Sequence, residues 1–440
     1  MVSKIIKATL SSLLLMIMII ACNTNSKKEN IIPAADIDTV VRRMSDIMVH
    51  DVTNPPLAAR FFAYTFLAGY EVVSQNNSSF KSMKGILHDY PSIKKPAVEK
   101  YDYQLAALLA TIETASRIQP SGKQLQTLKE KLLKQVEDNF DKETITGSVN
   151  YASAIADQVM KYAKADGYRK FSDYPRYTPL SGDGYWFPTP PGYIAAVEPY
   201  FSKLRPFFLD SCTQFISQPT APFDKNKSSA FYALMDSVYQ TGEHLNKEQQ
   251  EIAAFWDCNP FALNDQGHLR VGIKKISPGA HWMGIVGIAC TQQHISFDSS
   301  MMIHSLLALT LTDAFICCWD EKYRSNRIRP ETAIRKYIDP QWKPFLQTPP
   351  FPEYLSGHSV VSAASAELLS YFFGNKFAYK DSVELDFGLP SRNFHSFREA
   401  AREAAISRYY GGIHYIDAID NGLTQGEKVG KHVLHSYREK

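Results

Sequence analysis

Leu355-Ser356-Gly357-His358-Ser359-Val360-Val361-Ser362-Ala363-Ala364-Ser365-Ala366-Glu367-Leu368-Leu369 reads as a capped helix whose first turn is set up for an anion. Ser356 is placed to cap the helix, and apolar residues then recur at three- and four-residue intervals over 360–373. Free backbone N–H groups and the helix dipole at that end favour negative charge. Gly357 lets an oxyanion approach the backbone closely, and His358 stands beside it as a proton donor or acceptor. Taken alone, Ser-Gly-His is also a plain helix cap.

The same periodicity extends outward in both directions. It recurs over 57–73, 101–118, 151–163, 194–209, 230–239, 248–256, 285–295, 303–319 and 397–409, while strand signals are few. The expected fold is all-α, built from two or more helical bundles. A break at 172–193, rich in Pro, Gly, Tyr and Trp, reads as an ordered surface loop. A soft boundary falls near 225–230, after Pro222, which gives an N-terminal helical region 41–228 and a second helical domain 229–440.

Two further segments carry chemistry. In Lys322-Tyr323-Arg324-Ser325-Asn326-Arg327-Ile328-Arg329-Pro330 the seven-residue gap places Lys322 and Arg329 on one helix face, with Pro330 breaking or kinking the helix. Alone, this is a solvated basic patch. In Ser407-Arg408-Tyr409-Tyr410-Gly411-Gly412-Ile413-His414-Tyr415-Ile416-Asp417, the glycine pair ends one helix and lets Arg408 and His414 converge. Alone, His414 reads as a hydrogen-bonded core histidine.

The chain has 440 residues and a net charge of +3, so no basic face for nucleic acid is expected. Its apolar share of 45% supports a large core. Lys4 and Lys7, the apolar run 10–20, and Ile19-Ile20-Ala21-Cys22 resemble a bacterial lipoprotein signal. The expected mature chain is exported, anchored by a lipid on Cys22 and facing the periplasm or cell surface; 1–21 is the signal peptide and 22–40 a tether. The segment 301–319 contains His304 and Asp313 and reads as a buried core helix rather than a membrane span. Cys212, Cys258, Cys290, Cys317 and Cys318 show no CxxC spacing, so no zinc site is expected from them.

Lys-x6-Arg-Pro, then Ser-Gly-His, then Ser-Arg-x5-His, in this order, resembles the signature of the vanadium haloperoxidase/type 2 acid phosphatase superfamily. The segments Tyr177-Thr178-Pro179 and Trp186-Phe187-Pro188-Thr189-Pro190-Pro191 are similar to the bacterial haloperoxidase branch, which includes iodoperoxidases. The resemblance implies helical bundles of that type and an oxyanion pocket of Lys322, Arg329, Ser356, Gly357, His358, Arg408 and His414. It implies vanadate (vanadium V) as cofactor, with His414 bound to vanadium and His358 acting on the proton of hydrogen peroxide. The implied reaction is halide oxidation to hypohalous acid, with iodide as the expected halide. By looser analogy, Trp319, Phe351, Ser356 and Phe261 face the halide. The alternative reading is a periplasmic acid phosphatase in which His414 becomes a phosphohistidine. This chain departs from the phosphatase pattern by having Leu355 before Ser-Gly-His, where proline is usual. The acid after His414 falls at Asp417, three residues on, where four is usual. Asp417 is a candidate to orient His414, and Asp420 is its substitute.

Overall fold

The computed structural model describes residues 32–266, 269–272 and 275–439. The expected signal peptide and lipid site at Cys22 lie outside the described residues. Among the described residues the protein is mostly helical, and strand is confined to two short antiparallel pairs. In chain order the helices are α1 (Ala35–His50), α2 (Pro55–Asn76), α3 (Tyr103–Ile118), α4 (Gln126–Val136), α5 (Lys142–Lys164), α6 (Ala230–Glu243), α7 (Lys247–Phe255), α8 (Pro278–Gln292), α9 (Phe297–Ser325), α10 (Pro330–Tyr337), α11 (Gly357–Phe373), α12 (Phe397–Tyr410) and α13 (Ile416–Glu439). Two antiparallel hairpins accompany them: β1 (Leu263–Gln266) with β2 (Leu269–Gly272), and β3 (Tyr379–Asp381) with β4 (Arg392–Phe394).

The helix α9 is the spine of the molecule. Ser296 caps its start by accepting the Ser299 amide, and Asn326 ends it in the left-handed region at φ 47°. Its most apolar window is 94% buried. On one side it packs against α2, which in turn packs on α3 and α5; on the other it meets α11, which packs on α12 and α13. One hydrophobic core runs through both groups, from Ile32 to Val433. The α11–α13 contact is especially close because α13 presents Gly422, Gly426 and Gly430. A Cβ added at Gly426 would stand 2.1 Å from the Val360 carbonyl oxygen.

Three local expectations differ from the structure. Residues 35–40, expected as tether, belong to α1, where Ile37 and Val40 are buried. Residues 194–209 form no α-helix; only a short 3-10 turn, Phe201–Lys203, interrupts an irregular path. Pro199 and Pro206 cannot donate to a helical ladder. The amides of Phe207, Phe208 and Leu209 instead converge on the Asp313 carboxylate at 2.8, 2.7 and 3.2 Å. Finally, the helix carrying Lys322 ends at Ser325, and Pro330 opens the following helix, α10, instead of breaking or kinking a helix that runs through Arg329.

The 172–193 loop is ordered and buries Trp186. The Trp186 amide donates to the Asn326 carbonyl (2.8 Å), and the Ile328 amide donates to the Gly184 carbonyl (2.9 Å). The loop thereby holds the 326–329 turn in place from outside.

Candidate functional site

The three segments singled out by their side chains meet between α9, α11 and α12. Lys322 comes from the last turn of α9, and Arg329 is the N-cap residue of α10. Ser356 caps α11, its hydroxyl accepting the Ser359 amide at 3.3 Å. Arg408 lies in the last turn of α12, and His414 lies between Gly412, at φ 73°, and the start of α13. Lys322 and Arg329 therefore do not share a helix face. The left-handed turn at Asn326 brings Arg329 back toward the 351–355 loop that Lys322 also reaches.

Gly357, His358, Arg408 and His414 line one cavity together with Phe261, Trp319, Phe351 and Cys258. The cavity is about 30 Å³, far below the several hundred Å³ of a site for an organic molecule. No carboxylate lines it among the described residues. Arg329 stands directly behind, its Nη1 donating to His414 Nε2 (3.1 Å) and to the Ile413 carbonyl (2.8 Å). Lys322 Nζ donates to the carbonyls of Pro352 and Glu353, each at 3.2 Å, and to that of Leu355. Of the expected halide-facing residues, Trp319, Phe351 and Phe261 reach the cavity wall, with Trp319 and Phe351 ring centroids 5.1 Å apart. Ser356 is fully buried behind that wall and is not part of the lining.

His414 is oriented by an acid that its sequence neighbourhood does not reveal. Its Nδ1 lies 2.8 Å from Glu353 Oε1, which also accepts the Tyr415 amide at 3.0 Å. Glu353 Oε2 accepts from Arg327 Nε at 2.6 Å. With Nδ1–H given to Glu353, His414 Nε2 carries the lone pair on the side of Arg329. Asp417 does not orient His414: it pairs with Arg327 through two bonds of 2.6 and 2.7 Å. Asp420 is exposed and takes no part.

The electrostatics suit an anion. Burial, reinforced by Arg408 and His414, holds His358 well below the ordinary imidazole value. Burial, then Arg329, Lys322 and Arg408, does the same to His414, so both rings are neutral. Burial pulls the Lys322 ammonium down to about 7. Three carbonyl acceptors around one Nζ require all three N–H donors, so the geometry favours the charged form at neutral pH and below. Arg329 is likewise lowered, chiefly by burial, to about 9, and remains a cation at neutral pH. With no carboxylate in the cavity lining among the described residues, the buried cations around it create a demand for negative charge.

A solved bacterial vanadium-dependent iodoperoxidase is 40% identical to this chain, with a TM-score of 0.85 over 91% of this chain and 95% of that one. The chain belongs to the vanadium haloperoxidase family. Residues 302–440 match the VCPO second helical-bundle domain. Holo and apo structures of a bacterial vanadium-dependent chloroperoxidase share the fold at 15% and 14% identity. Their TM-scores are 0.65 and 0.64; each covers 88% of this chain, and the match spans 93% and 96% of theirs. No curated protein sequence matches.

The residues of this haloperoxidase fit a bound tetrahedral oxyanion. His358 Nε2 and Arg408 Nε are buried with no hydrogen-bond partner among the described residues. Arg408 makes one short bond, from Nη1 to the Trp256 carbonyl (2.9 Å), while Asp257 stays 3.8 Å from Nη2. Orphaned buried polar atoms are costly, and an anion in the cavity supplies acceptors for them. Glu353, Arg327 and Trp256 support this arrangement, and local motif spacing points to none of them. A buried acid in the Phe351-Pro352-Glu353 loop just before Ser-Gly-His was the available signal for Glu353.

Proposed function

We propose that this haloperoxidase holds vanadate through His414 and oxidises halide, iodide in the first place, with hydrogen peroxide. The observation that carries the proposal is the contact between His414 Nδ1 and the Glu353 carboxylate, which accepts the Nδ1–H hydrogen bond and leaves Nε2 as a ligand atom beside Arg329. When bound, vanadate supplies a Lewis acid that makes hydrogen peroxide electrophilic toward halide. Arg408 would meet the anion's oxygens through its planar fork of donors, while Arg329 and Lys322, whose donors are engaged by backbone carbonyls and His414, would balance its charge from behind. The Ser356 cap and Gly357 fix the amide end of α11 beside the anion. Neutral His358, whose Nε2 has no partner among the described residues, would take a proton from hydrogen peroxide and return it to the leaving hypohalite, which departs as hypohalous acid. The Trp319, Phe351 and Phe261 wall favours the large, weakly hydrated iodide, because stripping water from a smaller halide costs more.

The test is to add vanadate to metal-free protein and assay iodide oxidation by peroxide beside hydrolysis of a generic phosphomonoester. Iodide turnover that requires vanadate supports the proposal. Ester hydrolysis inhibited by vanadate, with a phosphohistidine trapped at His414 and no iodide turnover, replaces it with the phosphatase reading. Export and lipid anchoring at Cys22 form part of the same proposal; a C22S variant is expected to lose membrane association, and an unchanged membrane fraction refutes the anchor.

A further inference from the structure

A second cluster of chemically capable side chains lies beside the anion cavity and plays no part in the proposed reaction. Cys258 follows α7, His281 lies in the first turn of α8, Asp381 ends β3, and Glu384 sits in the 3-10 turn Val383–Phe387. Cys258, His281 and Glu384 are all buried, and their candidate ligand atoms lie within 4.8 Å of one another. His281 Nδ1 is 3.0 Å from Glu384 Oε1 and 3.8 Å from Cys258 Sγ, and Sγ is 3.9 Å from the same carboxylate oxygen. Zinc bonds of about 2.3 Å to sulfur and about 2.0–2.2 Å to nitrogen and oxygen place tetrahedral ligand atoms roughly 3.4–3.6 Å apart. The triangle observed here, with sides of 3.0, 3.8 and 3.9 Å, brackets that spacing.

We propose that Cys258, His281 and Glu384 bind a zinc-like divalent cation, with Asp381 holding His281 from behind. The donor set of thiolate, imidazole and carboxylate suits a borderline-soft metal. His281 Nε2 lies 2.8 Å from Asp381 Oδ2, the carboxylate–imidazole pairing that fixes the tautomer of a metal-bound histidine. Asp381 is itself anchored, its Oδ1 accepting the Val383 amide at 3.0 Å. Charge is conserved when the ion enters. The cation displaces the thiol proton and the proton shared between His281 and Glu384, so the buried cluster gains no net charge. This removes the main objection to placing an ion in a dry interior.

The location gives the ion a structural consequence. The His281 ring stacks on Trp256 at 4.6 Å and 24°, and the Trp256 carbonyl accepts from Arg408 Nη1. A cation on Cys258 and His281 therefore ties the 256–258 segment to α8 and to the β3 end, and steadies the carbonyl that aims Arg408. Of the three ligands only Cys258 also reaches the anion cavity wall, and the pair of sites divides by sign, oxyanion on the arginine side and cation on the cysteine side.

Cobalt(II) is the probe, added to metal-free full-length protein without vanadate, so the outcome is independent of the haloperoxidase reading. The proposal expects a sulfur-to-cobalt charge-transfer band together with tetrahedral ligand-field bands. Zinc should displace both, C258S should lack the sulfur band, and E384Q should bind at least tenfold more weakly. Zinc should also raise the thermal midpoint of the wild type and leave that of C258S unchanged. A wild type that saturates with no sulfur-to-cobalt band, or binds no cobalt, overturns the proposal whether or not the variants fold. A sulfur band that persists in C258S overturns the assignment to Cys258.

Discussion

Replacing Glu353 with glutamine keeps the side-chain shape and removes the charge that orients His414. Glu353 is fully buried; one oxygen accepts from His414 Nδ1 and the Tyr415 amide, and the other from Arg327 Nε. A glutamine amide must turn its NH2 toward one of these donors, so either the His414 side or the Arg327 side meets donor against donor. Arg327 keeps its two bonds to Asp417, so no guanidinium is left alone and the fold is expected to survive. Loss of a carboxylate behind a ligating imidazole weakens a metal site by about 10–100-fold, or roughly 1.4–2.8 kcal/mol. The assay is the vanadate dissociation constant of metal-free wild type and E353Q, by equilibrium dialysis. The matched control is D417N, whose side chain never touches His414 and whose loss of affinity is expected to be smaller. A folded E353Q that binds vanadate as tightly as wild type, or a D417N that loses more, refutes the reasoning.

Oxyanion affinity should fall as pH rises through about 7, where the buried Lys322 ammonium loses its proton; phosphate or vanadate binding measured across this range should show the drop, and K322M should flatten it. His358 is held below its ordinary value of 6.5, so the unfolded chain takes up that proton first as pH falls, and the stability tied to neutral His358 is lost below about 6.5. Wild type should accordingly lose stability relative to H358Q between pH 7 and pH 5, read by denaturant unfolding; a constant difference counts against a neutral buried His358. G426A should destabilise the protein by about 1–3 kcal/mol, because its methyl meets the Val360 carbonyl and the Ala363 side chain; an unchanged unfolding midpoint argues against the close α11–α13 packing.

The candidate site residues were legible because they stand in short motifs. Ser356-Gly357-His358 announces a helix start, and Arg408 and His414 straddle a glycine pair that has to break a helix. The mostly helical fold followed from apolar spacing. The supporting residues are set by three-dimensional closure, which spacing does not encode. Arg327 looked like one more charge in a basic run, yet it is buried between Glu353 and Asp417. The left-handed turn at Asn326 left no mark in a stretch that could have stayed helical. The 194–209 segment has helical apolar spacing, but two prolines and a distant acid, Asp313, decide its path. Cysteine spacing likewise gave no sign of the Cys258–His281–Glu384 cluster, whose members come from three separate elements.

The central claim is that His414, held by Glu353, anchors vanadate in a site that oxidises iodide. It is tested most directly by titrating vanadate into metal-free wild type and H414A while reading protein-bound vanadium and peroxide-driven iodide oxidation on the same samples. The account predicts that the wild type binds vanadium stoichiometrically with activity rising in step, and that H414A loses both. Stoichiometric vanadium without iodide oxidation, or an H414A protein that retains both, contradicts it.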